Sequence, residues 1–325
     1  MKAEQIQISA HGGPEVLQLV SIDLPAPAAG EVQIRQYAAG LNFIDIYHRT
    51  GLYAVPLPSG IGQEGAGEVI AVGDGVDNFK VGDRIAYAGG PIGGYASVRN
   101  HPAKHIVKLP DGISFEQGAA MMLQGLTSQY LLRQTYRVSA GDTILIHAAA
   151  GGVGLIATQW AKALGATVIG TVSSEAKAEL AKAHGCDHVL ISGEVNLPQA
   201  VKTLTGGVGV PVVYDGIGKD TFNDSLDCLR PRGLMVSFGN ASGAVPAFEP
   251  SILAAKGSLY LTRPTLAPHI ASREALDQAA AELFEVVLSG KVKIEVNQRY
   301  ALKDAAQAQI DLAARKTTGS TVLIP

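Results

Sequence analysis

The chain has 325 residues, with little sulfur, few charges and no long apolar run, and each shortage excludes something. Only two cysteines occur, Cys186 and Cys228. They are too few for a disulfide framework and are not spaced as metal ligands, so a reducing, cytoplasmic setting is expected. Polar or glycine-rich breaks interrupt every apolar stretch before bilayer length, and the opening MKAEQIQIS has no apolar core. Neither a membrane span nor a secretory signal is expected. Basic residues do not predominate: 26 against 29 acidic ones leave a net charge of −3, which disfavours nucleic acid and anionic membrane as partners. Charged residues make up 17% and apolar ones 47%, so a substantial core is available, with length for two domains.

What is present falls into two patterns. The first hundred or so residues read as β: Ile6 and Ile8 alternate with polar neighbours, as do Val32 and Ile34, and EVIAVGDGVDNFKVGDRIAY holds two strand-like runs parted by turns. At SFEQ, Ser114 and Gln117 have capping-box spacing and open a helical run. From Gly141 strand and helix alternate. TILIH is followed by GLIATQWAKAL, then TVIGTV, EAKAELAKAH, HVLI, PVVYD and GLMVSF, with Gly165 and Gly185 as helix stops. Such a βαβ series predicts a doubly wound parallel sheet, hence an α/β fold. The tail from Ser272 predicts a long helix, a strand at VKIEV, a helix in KDAAQAQIDLAARK and a last strand at TVLIP.

Between the first strand and helix of that series lies IHAAAGGVG. Ala148, Gly151 and Gly154 stand three apart, a variant of the dinucleotide fingerprint in its required strand–turn–helix setting. Glycine there lets backbone approach a diphosphate, and the helix N-terminus offers N–H donors, so Gly151, Gly152 and Val153 are candidate contacts. A site for NAD usually carries an acid about 20 residues on, to accept from the ribose 2′-hydroxyl. Here the second strand ends at Val172 and is followed by Ser173, Ser174 and Lys177. Hydroxyls and an ammonium suit a 2′-phosphate, so NADPH is the expected cofactor. Glu175 in the same turn complements the helix dipole.

Several longer stretches now add up: HGGPEVLQL, LNFIDIYHRTGLY, GDRIAY, HAAAGGVGLIATQWAKALGA, YDGIGKDTF, LDCLRPRGLMVSFGN and GSTVLIP. Together they resemble the zinc-free quinone oxidoreductases, the zeta-crystallin-like branch of the medium-chain dehydrogenase/reductase superfamily. The resemblance implies a mostly β GroES-like catalytic domain (1–122 and 266–325) and a Rossmann NADP-binding domain (123–265). It places nicotinamide-side contacts on Asn42, Asp45, Tyr47 and Thr127, and adenosine-phosphate contacts on Ser173, Ser174, Lys177 and Arg315. Phe238, Gly239, Asn240, Arg263 and Pro264 would line the cofactor groove. Some relatives have a tyrosine near Ser192; serine here shifts more of the 2′-phosphate contact to Lys177 and Arg315. Homodimers joined through sheet edges are also implied, with GSLYLTRP as the candidate edge.

Zinc-dependent relatives carry a Gly-His-Glu motif where this chain has Gly62, Gln63 and Glu64. An amide is a poor zinc ligand, and no metal is expected. His11, His48, His101, His105, His184 and His188 form no recognisable cluster and are expected at the surface or in turns. Without a Lewis acid the acceptor has to be electrophilic already, as a quinone or an α,β-unsaturated carbonyl is, with reduction by hydride or electron transfer. Tyr47 and Tyr53 are the candidates for hydrogen bonding to its oxygen. Two alternatives stay open: an enoyl-thioester reductase, and a non-catalytic protein that binds NADPH or RNA.

Overall fold

Why each segment takes its form is clearest in chain order. The β-rich opening consists of β1 (Lys2–Ile8), β2 (Gln18–Asp23), β3 (Glu31–Gly40), α1 (Phe43–Thr50), β4 (Ser59–Gly60), β5 (Glu64–Val72), β6 (Arg84–Ala88), β7 (Val98–Pro102) and β8 (Ile106–Lys108). Helix α2 (Phe115–Tyr130) follows. The alternating part runs β9 (Thr143–Ile146), α3 (Gly152–Ala163), β10 (Thr167–Val172), α4 (Glu175–Ala183), β11 (His188–Ile191), α5 (Leu197–Leu204), β12 (Val210–Asp215), α6 (Phe222–Asp227), β13 (Leu229–Ser237), α7 (Ser251–Ala255) and β14 (Tyr260–Thr262). The tail adds α8 (Leu266–His269), α9 (Arg273–Leu288), β15 (Val296–Ala301), α10 (Ala305–Ala313) and β16 (Ser320–Ile324). This computed structural model describes residues 1–325 as two units, one of Met1–Leu126, Ile270–Leu288 and Ile294–Pro325, the other of Thr127–His269 and Ser289–Lys293.

In the first unit a seven-stranded sheet runs β15-β16-β3-β5-β6-β8, with β7 also paired to β3, beside a three-stranded sheet β2-β1-β4. Strand β3 supplies two cores. Val32 and Ile34 pack with Val69, Ile85 and Tyr87, whereas Ala39 packs with Ile6, Ile8, Ile61 and Leu323. The switch of face comes from irregular register against β5 between Gln36 and Ala38, because an extra residue reverses which side chains point inward. The GroES-like β domain expected from the sequence is this unit.

The second unit is a six-stranded sheet in the order β11-β10-β9-β12-β13-β14, every pair parallel. Counting from β9, that is the Rossmann order 3-2-1-4-5-6, with its switch point between β9 and β12. Strands β10 and β12 are buried almost throughout, which explains why TVIGTV and PVVYD lack the polar alternation of a one-sided strand. Gly165 and Gly185 end their helices at φ of +88° and +89°, a conformation that favours glycine.

Two expectations need correction. VKIEV is not a strand. Val292 and Ile294 are buried as their alternation suggested, yet the ladder with β16 begins only at Val296. In its place the Gln159 side chain serves the Lys293 backbone, accepting from its N–H at 2.9 Å and donating to its carbonyl at 3.1 Å. The histidines are not all peripheral either. His48 in α1 and His101 in β7 are buried, and the His101 ring packs at a tilt against Tyr87 with centroids 4.4 Å apart. Burial, helped by the nearby Arg99 charge, pushes the His101 pKa down to about 3.

At the start of α2 the capping box is reciprocal: Gln117 N–H donates to Ser114 Oγ at 3.2 Å and Ser114 N–H donates to Gln117 Oε1 at 3.0 Å. Ser114→Ala should lower stability by about 1 kcal/mol, read as a shifted urea midpoint at unchanged slope.

Candidate cofactor and active site

The turn from His147 to Gly151 leaves β9 and enters α3 with backbone packed on backbone. Ala148 takes a left-handed φ of +52°, and Gly151 N–H donates back to Ala148 O at 2.9 Å. A Cβ placed on Gly154 would lie 2.2 Å from Ala148 O and 2.8 Å from Ala149 Cα. Only glycine lets the helix start against the strand end here. Gly151 caps α3, and no side chain bonds to that cap. First-turn N–H groups of such a helix are suited to an anion. The residues of the cradle therefore fit a diphosphate.

The turn after β10 holds the other expected group. Ser173 and Ser174 are exposed and Lys177 half-buried. Ser174 is the N-cap of α4, its Oγ accepting from Lys177 N–H at 3.4 Å. Accepting uses a lone pair, so the hydroxyl proton stays available to an outside acceptor. Glu175 sits in the first turn as expected. Ser192 lies beside this turn, its N–H donating to Val172 O at 2.8 Å. The turn of Phe238, Gly239 and Asn240 follows β13, and a Cβ on Gly239 would meet Gly216 O at 2.4 Å, so the turns after β12 and β13 touch through backbone. Exposed Arg263 and half-buried Pro264 follow edge strand β14. Thr127 is buried in α2 and hydrogen-bonds Tyr130, whose hydroxyl burial pushes up to about 12.

In the first unit the nicotinamide-side candidates stand on a buried polar chain. Asp45 Oδ2 accepts from Asn42 N–H at 2.9 Å, capping α1, and from the Tyr95 hydroxyl at 2.7 Å. The Asn42 side chain donates to Glu64 Oε2 at 2.6 Å and accepts from Gln124 at 3.1 Å; Gln124 in turn accepts from Ser320 at 2.7 Å. Glu64 Oε1 accepts from Leu123 N–H at 2.6 Å. Asp45 and Glu64 are both 0% exposed. Burial pushes the Glu64 carboxyl up to about 8 and that of Asp45 up to about 7, their hydrogen bonds pulling the other way. Tyr47 and Tyr53 meet edge-on at 5.3 Å, held by a bond from Tyr53 N–H to Tyr47 O at 3.1 Å. Arg315 stands exposed beyond α10 with a φ of +59°.

Two groups escaped the sequence reading: the Glu64–Asn42–Gln124–Ser320 chain and the polar partners of His147. A carboxylate between glycines in GQEGAGEV was a signal for the first. No three His, Cys, Asp or Glu side chains are grouped to hold a metal ion.

With this geometry in view, the comparisons with known proteins are informative. Residues 28–111 match the alcohol dehydrogenase GroES-like domain and residues 152–282 the zinc-binding dehydrogenase family. A quinone oxidoreductase of Pseudomonas aeruginosa is 57% identical over 99% of this chain and 100% of its own. The chain belongs to the quinone oxidoreductases of the medium-chain dehydrogenase/reductase superfamily. A crystal structure of the Escherichia coli quinone oxidoreductase complexed with NADPH superposes with a TM-score of 0.98 at 52% identity, covering 99% of this chain and 100% of that one. A 2-haloacrylate reductase from a Burkholderia species is 43% identical, over 98% of each chain. Membership of a family described as zinc-binding does not bring the zinc ligands with it, because Gln63, a neutral amide, stands where zinc-dependent relatives carry histidine.

The buried carboxyls predict a pH dependence. Folded, both keep a proton that the unfolded chain gives up at the ordinary values of 3.8 and 4.5, so their contribution is complete below that range and is lost as pH rises toward about 8. Histidines 48, 101 and 147, with pKa lowered by burial, run the opposite way but finish at 6.5. Stability should therefore fall between pH 6.5 and about 8. Glu64→Gln should flatten that fall, because an amide reproduces the neutral acid once Asn42 and Gln124 both turn their amides over and Gln124 donates to Ser320. Urea midpoints across the window check it, and equal slopes in both proteins would contradict the assignment.

Proposed function

We propose that the protein catalyses NADPH-dependent reduction of quinones, and of related α,β-unsaturated carbonyls, without a metal. The observation that carries this reading is the turn after β10, where Ser173, Ser174 and Lys177 stand in place of a ribose-binding carboxylate. Two relatives support it: one crystallised with NADPH, and one named for reduction of a haloacrylate, an activated alkene.

In this reading Gly151, Gly152 and Val153 hold the diphosphate by backbone N–H groups. Ser173, Ser174, Lys177 and Arg315 hold the 2′-phosphate, with Ser192 beside them. Phe238, Gly239, Asn240, Arg263 and Pro264 flank the dinucleotide, and Asn42, Asp45, Tyr47 and Thr127 serve its nicotinamide side. The bound dihydronicotinamide supplies the hydride, or the electrons, that the acceptor takes up. Residues of the chain orient and exclude water. Tyr47 and Tyr53 donate hydrogen bonds to the acceptor oxygen. A reduced quinone takes its protons from water, so no dedicated acid is required. The catalytic domain is assigned to residues 1–122 and 266–325 and the cofactor domain to 123–265.

Stopped-flow oxidation of NADPH should show turnover with small benzoquinones. No turnover with any quinone or enone would end the proposal, and faster turnover with a crotonyl thioester would favour an enoyl-thioester reductase. Lys177→Glu should weaken NADPH roughly ten- to a hundredfold while NADH changes little, read by fluorescence titration. Equal losses would remove Lys177 from the 2′-phosphate.

Edge strand β14, with Tyr260 61% exposed, supports a homodimer in which β14 pairs with its copy. Sedimentation should show a dimer at micromolar concentration; a monomer would overturn this. No helix is long and apolar enough to cross a membrane, and both cysteines are free and buried. A cytoplasmic setting accords with the two thiols.

A further inference from the structure

The carboxyl edge of the parallel sheet contains a buried polar chain that the proposed reaction leaves unused. Thr171 Oγ1 lies 2.9 Å from His147 Nδ1, and His147 Nε2 lies 2.9 Å from Ser225 Oγ. Ser225 donates to Asp215 Oδ2 at 2.8 Å, and Thr221 donates to the same oxygen at 2.7 Å. The other oxygen, Oδ1, accepts from the N–H groups of Ile217 at 2.8 Å and Gly218 at 3.0 Å. All four members of the chain are buried, Asp215 and Ser225 at 0% exposure.

These bonds have one direction. A carboxylate only accepts, so the single hydroxyl proton of Ser225 goes to Asp215. The Ser225 oxygen must then accept from the imidazole, which puts the ring proton on Nε2. Nδ1 is left bare and accepts from the Thr171 hydroxyl. Burial lowers the His147 pKa, so the ring is neutral and carries one N–H. Serine, histidine and aspartate meet here without forming a nucleophile. The hydroxyl stands between the other two and has already given its proton to the carboxylate, so the imidazole has nothing to remove.

The chain ties together turns from separate strands. Thr171 is the next-to-last residue of β10, two before Ser173. Its carbonyl also accepts from Ala149 N–H in the diphosphate turn at 2.9 Å. His147 follows β9, and Asp215 ends β12. Around Asp215 the next turn is hung by backbone, Phe238 N–H donating to Asp215 O at 2.8 Å and Ser242 N–H to Ile217 O at 2.8 Å.

We propose that Asp215, acting through Ser225 and His147, is a positioning residue that holds the Ser173–Ser174 turn at a fixed offset from the Ala148–Gly151 turn. The proposal rests on the assignment of NADPH to these turns. Two turns that grip the diphosphate and the 2′-phosphate of one ligand must keep their spacing, and a drift of about 1 Å is enough to lose contacts. Every member of the chain is buried, so its effect on binding passes through the turn and not through contact.

Asp215→Asn tests the direction with little change of shape. The amide oxygen still accepts from Ile217 and Gly218, while its NH₂ now donates to Thr221 and Ser225. Ser225 must then turn its proton to Nε2, the ring proton moves to Nδ1, and the Thr171 hydroxyl changes from donor to acceptor in the bond to His147. Nitrogen-15 NMR of the cofactor-free protein should find His147 protonated on Nε2 in the wild type and on Nδ1 in Asp215→Asn, with His147→Gln identifying the signal. Thr171→Val should weaken NADPH about tenfold, and Thr171→Ser, which keeps the hydroxyl, should stay within about twofold. Val212→Ala, a core truncation outside the chain, should lower stability and leave NADPH affinity unchanged. A proton on Nδ1 in the wild type, or no tautomer change in Asp215→Asn, overturns the polarity. NADPH binding by Thr171→Val equal to the wild type, or an affinity loss in Val212→Ala as large as in Thr171→Val, overturns the positioning role. A wild type that binds no NADPH fails the cofactor reading itself, whereas the tautomer still decides the polarity.

Discussion

Asp215 is wholly out of water at the carboxyl edge of the parallel sheet, and a carboxylate in that position has to be met by donors on every side. Two come from backbone and two from hydroxyls. Supplying them bends the chain after β12 so that Ile217 and Gly218 fold back, and it turns Ser225 toward His147. The turn after β13 can then close on the turn after β12 only where residue 239 carries no side chain, since a Cβ on Gly239 would meet Gly216 O at 2.4 Å, while one on Gly216 would press on the Phe238 ring at 3.0 Å. The same restriction governs Gly154 in the first turn of α3. A sheet edge built from such turns presents backbone and hydroxyl groups outward, the surface a phosphorylated ligand requires.

The first unit meets a similar demand differently. Glu64 and Asp45 are buried without a cation to pair with, and their surroundings are amides, hydroxyls and N–H groups. With its carboxyl near 8, Glu64 is mostly a neutral acid at pH 7, so the chain from Ser320 to Glu64 carries no charge there. Neutral polar groups can be satisfied by turning over an amide, which a metal site cannot do. Asn42 is therefore suited to a hydrogen-bonded wall, and the amide of Gln63 is unsuited to holding zinc.

Some of this was legible in the residues. SFEQ declared the start of a helix because both halves of its capping box are local, three residues apart. TVIGTV coincides with β10, and Gly165 and Gly185 stop their helices through a conformation that a single residue decides. VKIEV misled for the opposite reason. Its alternation records which side chains are buried, but a strand also needs a neighbour, and the partner is missing until Val296. His101 misled because its burial depends on Tyr87 and on the Gly89 carbonyl that follows β6.

The division follows the range of the forces involved. Composition, periodicity and the glycine spacing determined the fold class, the cradle and the character of the turn after β10, since each is written within one strand–turn–helix stretch. Tertiary structure alone decided that Glu64 faces Asn42, 22 residues away, and that Ser225 faces His147, 78 residues away. A buried polar atom must find its partner wherever the fold delivers one, and no local pattern of residues records that meeting.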